Sequence, residues 1–310
     1  MNRRQLLFAA ASFALAPRVR RSVALVTADL ESRLVVVDLA SGDIRGYLTT
    51  QQYPRSIESV GAAAVVAHSE LGVVSIVSVE QVSVAHGLRG FGEPRYTAAH
   101  PDGRHAYVTD AKRGEVAAVD VLRGRVVGRE QVGARARHVS IDPNGRTLWI
   151  ALGSKAAEIA VVDVSRPATP RFVRRFRPPF LAHDVGFAPD GRHAWVSSGD
   201  RFELAVYDVR KGRVLAQPSG DWPPQHVSFN GGLAYVTSGW SGTLRVHRVD
   251  GRPLGTTAVP VGSYNVQHGE ARVVTPSLRR GMLTILDERG RLLSCRRIAR
   301  SSHDAGVFAL

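Results

Sequence analysis

From Ser22 onward, apolar residues come in short runs that alternate with polar residues, and no stretch sustains a 3.6-residue period. Runs of this kind, rich in Val, Ile and aromatic residues and bounded by Gly, Pro, Asn and Asp, are β-strands. One type of run recurs: VALVT ending at Thr27, AAVVA at Ala67, AYVT at Thr109, LWIA at Ala151, AWVS at Ser197, AYVT at Thr237 and RVVT at Thr275. Successive copies stand 38 to 46 residues apart, with a mean of about 41. A fixed period of this size marks a repeat architecture.

Each copy has the same internal order. A short strand such as HVSID or HDVGFA leads into a PDG or PNG turn, and the recurring run follows as a second strand. A third strand ends in aspartate: Asp38, Asp120, Asp163, Asp208 and Asp287. A Gly-containing turn then leads to a fourth strand, such as RVVGREQ or RVLAQ. Four strands in about 41 residues is one blade of a β-propeller. The pattern therefore predicts an all-β fold, a seven-bladed β-propeller of four-stranded blades, as a single domain over residues 22–310. One blade cannot bury both faces of its sheet, so the copies must pack around an axis. The first copy lacks an inner strand. The final HDAGVFAL resembles HDVGFAPD of the fifth copy, so the C-terminal segment is expected to supply that strand and close the ring. Trp149 and Trp195 lie in second strands and belong to the core.

PDGRHAYVTD at residues 101–110, AYVTS at 234–238 and AVVD at 160–163 resemble the YVTN-type β-propeller repeat. The resemblance spans nearly all of residues 22–310 and is best in blades 3 to 6. It implies the propeller fold. It is poor for function, because similar propellers include surface and secreted proteins of unknown role, lactonases, lyases and cofactor-holding domains.

Residues 1–21 read differently. Arg3 and Arg4 precede LLFAAASFALA, a short apolar run rich in small residues. A charged start followed by such a run is an export signal, and the Arg pair resembles a twin-arginine signal. The run is too short for a comfortable membrane span. Cleavage after Ala16 would leave Pro17 at the cut, so Ser12-Phe13-Ala14 is the alternative, and an ordinary buried helix is the non-signal reading. An exported protein, periplasmic, cell-surface or extracellular, is expected, and a monomer.

Charge changes the picture moderately. The chain has 41 Lys plus Arg against 27 Asp plus Glu, a formal charge of +14, and only Lys112, Lys155 and Lys211 are lysines. An arginine-favouring genome explains such a bias as readily as a basic surface does. The turns carrying Arg104, Arg123, Arg125, Arg146, Arg192, Arg210, Lys211, Arg213, Arg252, Arg289 and Arg291 share one face, where contact with a membrane or another polyanion is a possibility. Nucleic acid is not an expected partner, because no aromatic residues interleave with the charges. Cys295 is the one cysteine, so no intrachain disulfide forms.

The candidate chemistry lies on the other face, where inner strands begin around the channel. Their starts carry Arg55, Arg95, Arg137-His138, His183-Asp184, Gln225-His226, Tyr264-Asn265 and His303-Asp304. Imidazoles and carboxylates brought together hold a divalent metal or act as acid and base. The catalytic candidates are His183, Asp184, His303 and Asp304, and the metal candidates are His183, His226 and His303. Ligand-binding candidates are Arg55, Arg95, Arg137, His138, His226, Trp222, Trp240 and Tyr264, with the arginines suited to an anion and the aromatics to flat ligands. Polar residues at a wet channel mouth also occur without any ligand. His183 and His303 sit one register ahead of His138 and His226, an argument against one symmetric metal site. There is no GxSxG, CxxC, HExxH, phosphate loop or EF-hand. The inner-strand carboxylates are few: Glu58, Asp142, Asp184 and Asp304, with Asp142 assigned to its turn. The leading expectation is a scaffold binding an envelope or extracellular ligand (protein, glycan or small molecule). The alternative is a metal-assisted lyase or lactonase acting on a small anionic substrate at the same mouth.

Overall fold

In the computed structural model, which describes residues 22–309, every strand belongs to one of seven four-stranded antiparallel sheets. Each second strand pairs with the first and third of its own unit. In blade 4, for example, Val139–Ile141, Thr147–Ala151, Ile159–Asp163 and Arg171–Phe176 lie in that order. Blade 1 is completed across the chain ends: Ala305–Ala309 pairs antiparallel with Ser22–Ala28, setting Val26 opposite Ala305. The ring is thereby closed by the C-terminal strand. In all seven blades the register slips once between the third and fourth strands, as at Ala118/Val119 and Ile285/Leu286. Such bulges sharpen the twist of an outer edge strand, which makes it a poor template for pairing with another chain. Residues 1–21, the expected export segment, lie outside the described residues, and no described helix is long and apolar enough to cross a membrane.

The repeated PDGRH motif is a self-contained turn. Gly103 and Gly191 take φ of 67° and 64°, a left-handed conformation open to glycine. The Asp102 carboxylate accepts the backbone N–H groups of Arg104 and His105, each at 2.9 Å, and holds His105 Nδ1 at 2.7 Å. Asp190 does the same for Arg192 and His193. Asp142 likewise accepts from Arg146 and Thr147, so its carboxylate belongs to the turn.

Blades are joined by the second strand. Its aromatic residue buries its ring and sends its polar tip into the next blade. Tyr107 donates to Pro167 O, Trp195 to Val249 O and Tyr235 to Glu288 O, all three residues being 0% exposed. Trp149 instead packs among Phe176, Phe187 and Tyr207 between blades 4 and 5. Burying a side chain of this size contributes about 2–3 kcal/mol.

On the turn face, the aspartates ending the third strands cap their own turns. Asp120 accepts from Arg123 N and pairs with Arg104 at 2.6 Å, and Asp287 accepts from Arg291 N and pairs with its side chain at 2.6 Å. Part of the basic ring is thus already neutralised within the protein. Cys295 is a free thiol in the outer strand of blade 7, where Thr284 Oγ1 donates to it.

Candidate functional site: the channel mouth

The mouth is built from one repeated device. The penultimate residue of a second strand carries a hydroxyl that accepts the N–H of a residue at the start of its own inner strand. It also donates to a carbonyl at the start of the next blade's inner strand. Thr27 accepts from Asp304 N and donates to Arg55 O, and Thr109 accepts from Tyr96 N and donates to Arg137 O. Ser197 accepts from Asp184 N and donates to Gln225 O. These hydroxyls are 0–1% exposed and tie the strand starts of neighbouring blades into a ring. In blade 2, where the equivalent residue is Ala67, Ser56 and Ser69 instead reach Arg95 O and Pro94 O.

Two inner strands are bulged at the mouth. In blade 3 the pairing jumps from Pro94–Asp110 to Thr97–Val108, and in blade 5 from Ala182–Ser198 to Val185–Val196. The displaced residues are Arg95-Tyr96 and His183-Asp184. A bulge re-aims side chains, and this one changes the expected outcome for the histidines. The register offset does not keep them apart: the His183 ring centroid lies 4.5 Å from that of His138 and 5.6 Å from that of His226. His138 and His226 are themselves 4.8 Å apart. One nitrogen of each of the three rings lies within 4.8 Å of the other two.

The fourth histidine points elsewhere. His303 Nδ1 is 2.9 Å from Arg55 O, and Asn265 donates to His303 O at 2.8 Å. Its neighbour Asp304 accepts from Ile57 N at 3.1 Å. Both residues therefore tie blade 1 to blades 2 and 7, and His138 rather than His303 joins His183 and His226.

Tyr96 completes the cluster, and only the bulge places it there. Its ring stacks 4.3 Å from His138 and 5.3 Å from His226, with its hydroxyl 3.5 Å from His226 Nε2. Asp184 Oδ2 lies 3.3 Å from His226 Nδ1. A cavity of about 230 Å³ continues down the channel, lined by these groups and by Glu58, Asp304 and His268.

Electrostatics divide the mouth. Burial holds His138 well below the usual imidazole range, reinforced by His183 and His226, and pushes His183 down to about 3. His303 is also held well below that range, by burial and then by Arg55. These rings are neutral at physiological pH, available as lone-pair donors. Burial raises Asp304 to about 6, and burial together with the Asp304 charge raises Glu58 to about 8. The opposite arc is cationic. Arg95 pairs with Glu93 at 2.8 Å, and its pKa is lowered by burial and by facing Arg137. Among the described residues Arg55 and Arg137 have no carboxylate partner, and the buried Arg137 Nε has no hydrogen-bond partner. A second hollow of about 450 Å³ opens beside Arg137, lined by Glu93, Arg135, Ser154 and Lys155.

The remaining candidates form the rim. Trp222 packs on Phe202 at 5.1 Å, and Trp240 lies 6.2 Å from Tyr264 under the Arg279 guanidinium at 4.1 Å. Among the described residues, none of these rings contacts the imidazoles. Sequence reasoning missed Ser154 as part of the mouth, and it made no site candidate of Tyr96 or Asn265 although both stand at strand starts. The only signal for Tyr96 was its place beside Arg95 at a strand start.

Fold and site together define a seven-bladed β-propeller with three clustered imidazoles at one end of its channel. No protein-family model matches the chain, and no curated protein is similar to it in sequence. Among solved structures, hydrazine synthase of Kuenenia stuttgartiensis is similar with a TM-score of 0.68, over 83% of this chain and 92% of that one. At 16% identity this likeness shows the fold alone.

Proposed function

We propose that the protein is an exported β-propeller that binds a small anionic ligand at the channel mouth. The observation that carries this reading is the unbalanced cationic arc: of Arg55, Arg95 and Arg137, Arg95 alone has a carboxylate partner among the described residues, Glu93, and Arg137 Nε is buried without a partner. Buried polar groups normally find partners, and planar guanidinium groups recognise carboxylate or phosphate by paired hydrogen bonds. The adjacent hollow adds Arg135 and Lys155 without a further acid, and Arg135 is held at φ 61°, a conformation that costs a non-glycine residue energy. The export reading rests on Arg3-Arg4 and the apolar run after them.

Calorimetric titration with malonate, citrate and inorganic phosphate tests the binding. Saturable binding of at least one is expected, weakening with salt and falling about tenfold or more in Arg137→Ala. No saturable binding of any of the three, or equal binding by Arg137→Ala, contradicts the reading. The N-terminal sequence of protein recovered from outside the cytoplasmic membrane tests export.

A second reading is a metal-assisted lyase or lactonase acting on a small anionic substrate at this mouth. The convergence of His138, His183 and His226 favours it. The imidazoles would hold the ion while the arginines orient the substrate, and turnover of a small lactone by metal-supplemented protein tests it.

A further inference from the structure

We infer that His138, His183 and His226 form a binding site for one late first-row divalent metal ion. The inference follows from the hydrogen-bond state of each ring nitrogen. His183 Nδ1 lies 3.0 Å from Ser154 O. A carbonyl only accepts, so Nδ1 carries the proton and the lone pair is on Nε2. His226 Nδ1 faces Asp184 Oδ2 at 3.3 Å, and that oxygen also accepts Val227 N–H at 3.1 Å. Nδ1 again carries the proton, and the His226 Nε2 lone pair faces the cluster, with the Tyr96 hydroxyl 3.5 Å away and displaceable by an ion. His138 is 1% exposed and neither of its ring nitrogens has a partner. A buried imidazole with both nitrogens unpaired carries an unrecovered desolvation cost. A metal on one nitrogen takes up its lone pair and recovers that part of the cost.

Three imidazoles from the inner-strand starts of blades 4, 5 and 6 therefore bring one ring nitrogen each within 4.8 Å of the other two. A tetrahedral ion at about 2.1 Å from each nitrogen sets them about 3.4 Å apart, so no pair of nitrogens need close by more than about 1.4 Å on loading. His138 and His226 also line the channel cavity, from which water or a small ligand would reach the fourth position. Asp184 behind His226 and the Ser154 carbonyl behind His183 are the outer partners that metal-binding imidazoles use to fix tautomer and orientation. An all-imidazole set suits zinc, copper, nickel or iron, and not calcium or magnesium, which take oxygen ligands. Arg137 opposes the cation, and Asp184 and Asp304 offset it. The site supplies the ion that the enzymatic reading requires, yet it stands or falls by binding alone.

Full-length protein stripped with a chelator and titrated with Zn²⁺, and separately with Co²⁺ followed by its visible spectrum, tests the site. Saturation at one ion per chain is expected, with the intense bands of a low-coordinate cobalt centre. His183→Ala and His226→Ala should each weaken binding about tenfold or more. His268→Ala, in the same channel but hydrogen-bonded to Ser228 at 2.8 Å, should bind as the parent does. The half-buried His183 carries the test if the His138→Ala protein does not fold. Absence of saturable binding, or unchanged affinity in both His183→Ala and His226→Ala, overturns the inference. Metal binding without turnover leaves it standing and removes only the enzymatic reading.

Discussion

Asp184 on blade 5 holds His226 on blade 6: its Oδ2 lies 3.3 Å from His226 Nδ1 and also accepts Val227 N–H at 3.1 Å. One carboxylate thus fixes a ring and the strand that carries it. Asp184→Asn keeps the size and removes the charge. It should weaken Zn²⁺ binding about tenfold to hundredfold, the usual effect of losing an outer partner, and shift the melting temperature only slightly. Calorimetric titration beside a thermal scan separates the two effects, and an unchanged zinc affinity would show that Asp184 has no hold on the ring.

The strand-end hydroxyls make a second prediction. Thr109, 0% exposed, accepts Tyr96 N–H and donates to Arg137 O. Thr109→Val keeps the shape but strands a donor and an acceptor at the mouth. A stability loss of about 1–3 kcal/mol is expected, measured by urea unfolding. A loss no larger than that of an exposed Thr→Val change would show that the hydroxyl link is dispensable.

Ring closure depends on the chain end. Ala305–Ala309 is the inner strand of blade 1, and just before it His303 is held by Arg55 O and Asn265. Deleting residues 303–310 exposes the paired face of Ser22–Ala28 and opens the ring between blades 1 and 7. A sharp drop in melting temperature, or loss of the cooperative transition, is expected by calorimetry. A truncated chain melting like the parent would contradict the closure.

Glu58 makes stability depend on pH. Its folded pKa is raised to about 8 by burial and then by Asp304, from an ordinary value of 4.5. Between those values the folded state keeps a proton that the unfolded state has lost, so this group's contribution is full below 4.5 and is lost as pH rises to about 8. The lowered histidines act in the opposite sense, losing stability as pH falls below their ordinary value. The difference between the parent and Glu58→Gln isolates the carboxyl. The variant should gain relative stability between pH 5 and 8, on the order of a kcal/mol or more, and parallel melting curves for the two proteins would refute the assignment.

Much of this architecture is legible in the residues. The spacing of Thr27, Thr109, Ser197 and Thr237 counts the blades because each hydroxyl makes the same interblade link. The match of HDAGVFAL to HDVGFAPD reveals the closing strand because both are inner strands with the same burial demands. The histidine cluster is less legible. Counting residues places His183 out of register with His138 and His226, and the bulge at His183-Asp184 cancels that offset. Nothing in a linear pattern marks a one-residue bulge when the flanking residues keep their alternation. Tyr96 is hidden for the same reason in blade 3. His303 carries the same His-Asp pair as His183, yet its ring is claimed by Arg55 O, a contact between residues 248 positions apart.

The central claim is that three inner-strand starts aim their imidazoles at one point. X-ray diffraction at the zinc absorption edge, from crystals of the full chain grown with Zn²⁺, tests it directly. One strong anomalous peak is expected about 2.1 Å from a nitrogen of each of His138, His183 and His226. A channel mouth without such a peak, or rings turned apart in the refined density, would contradict it.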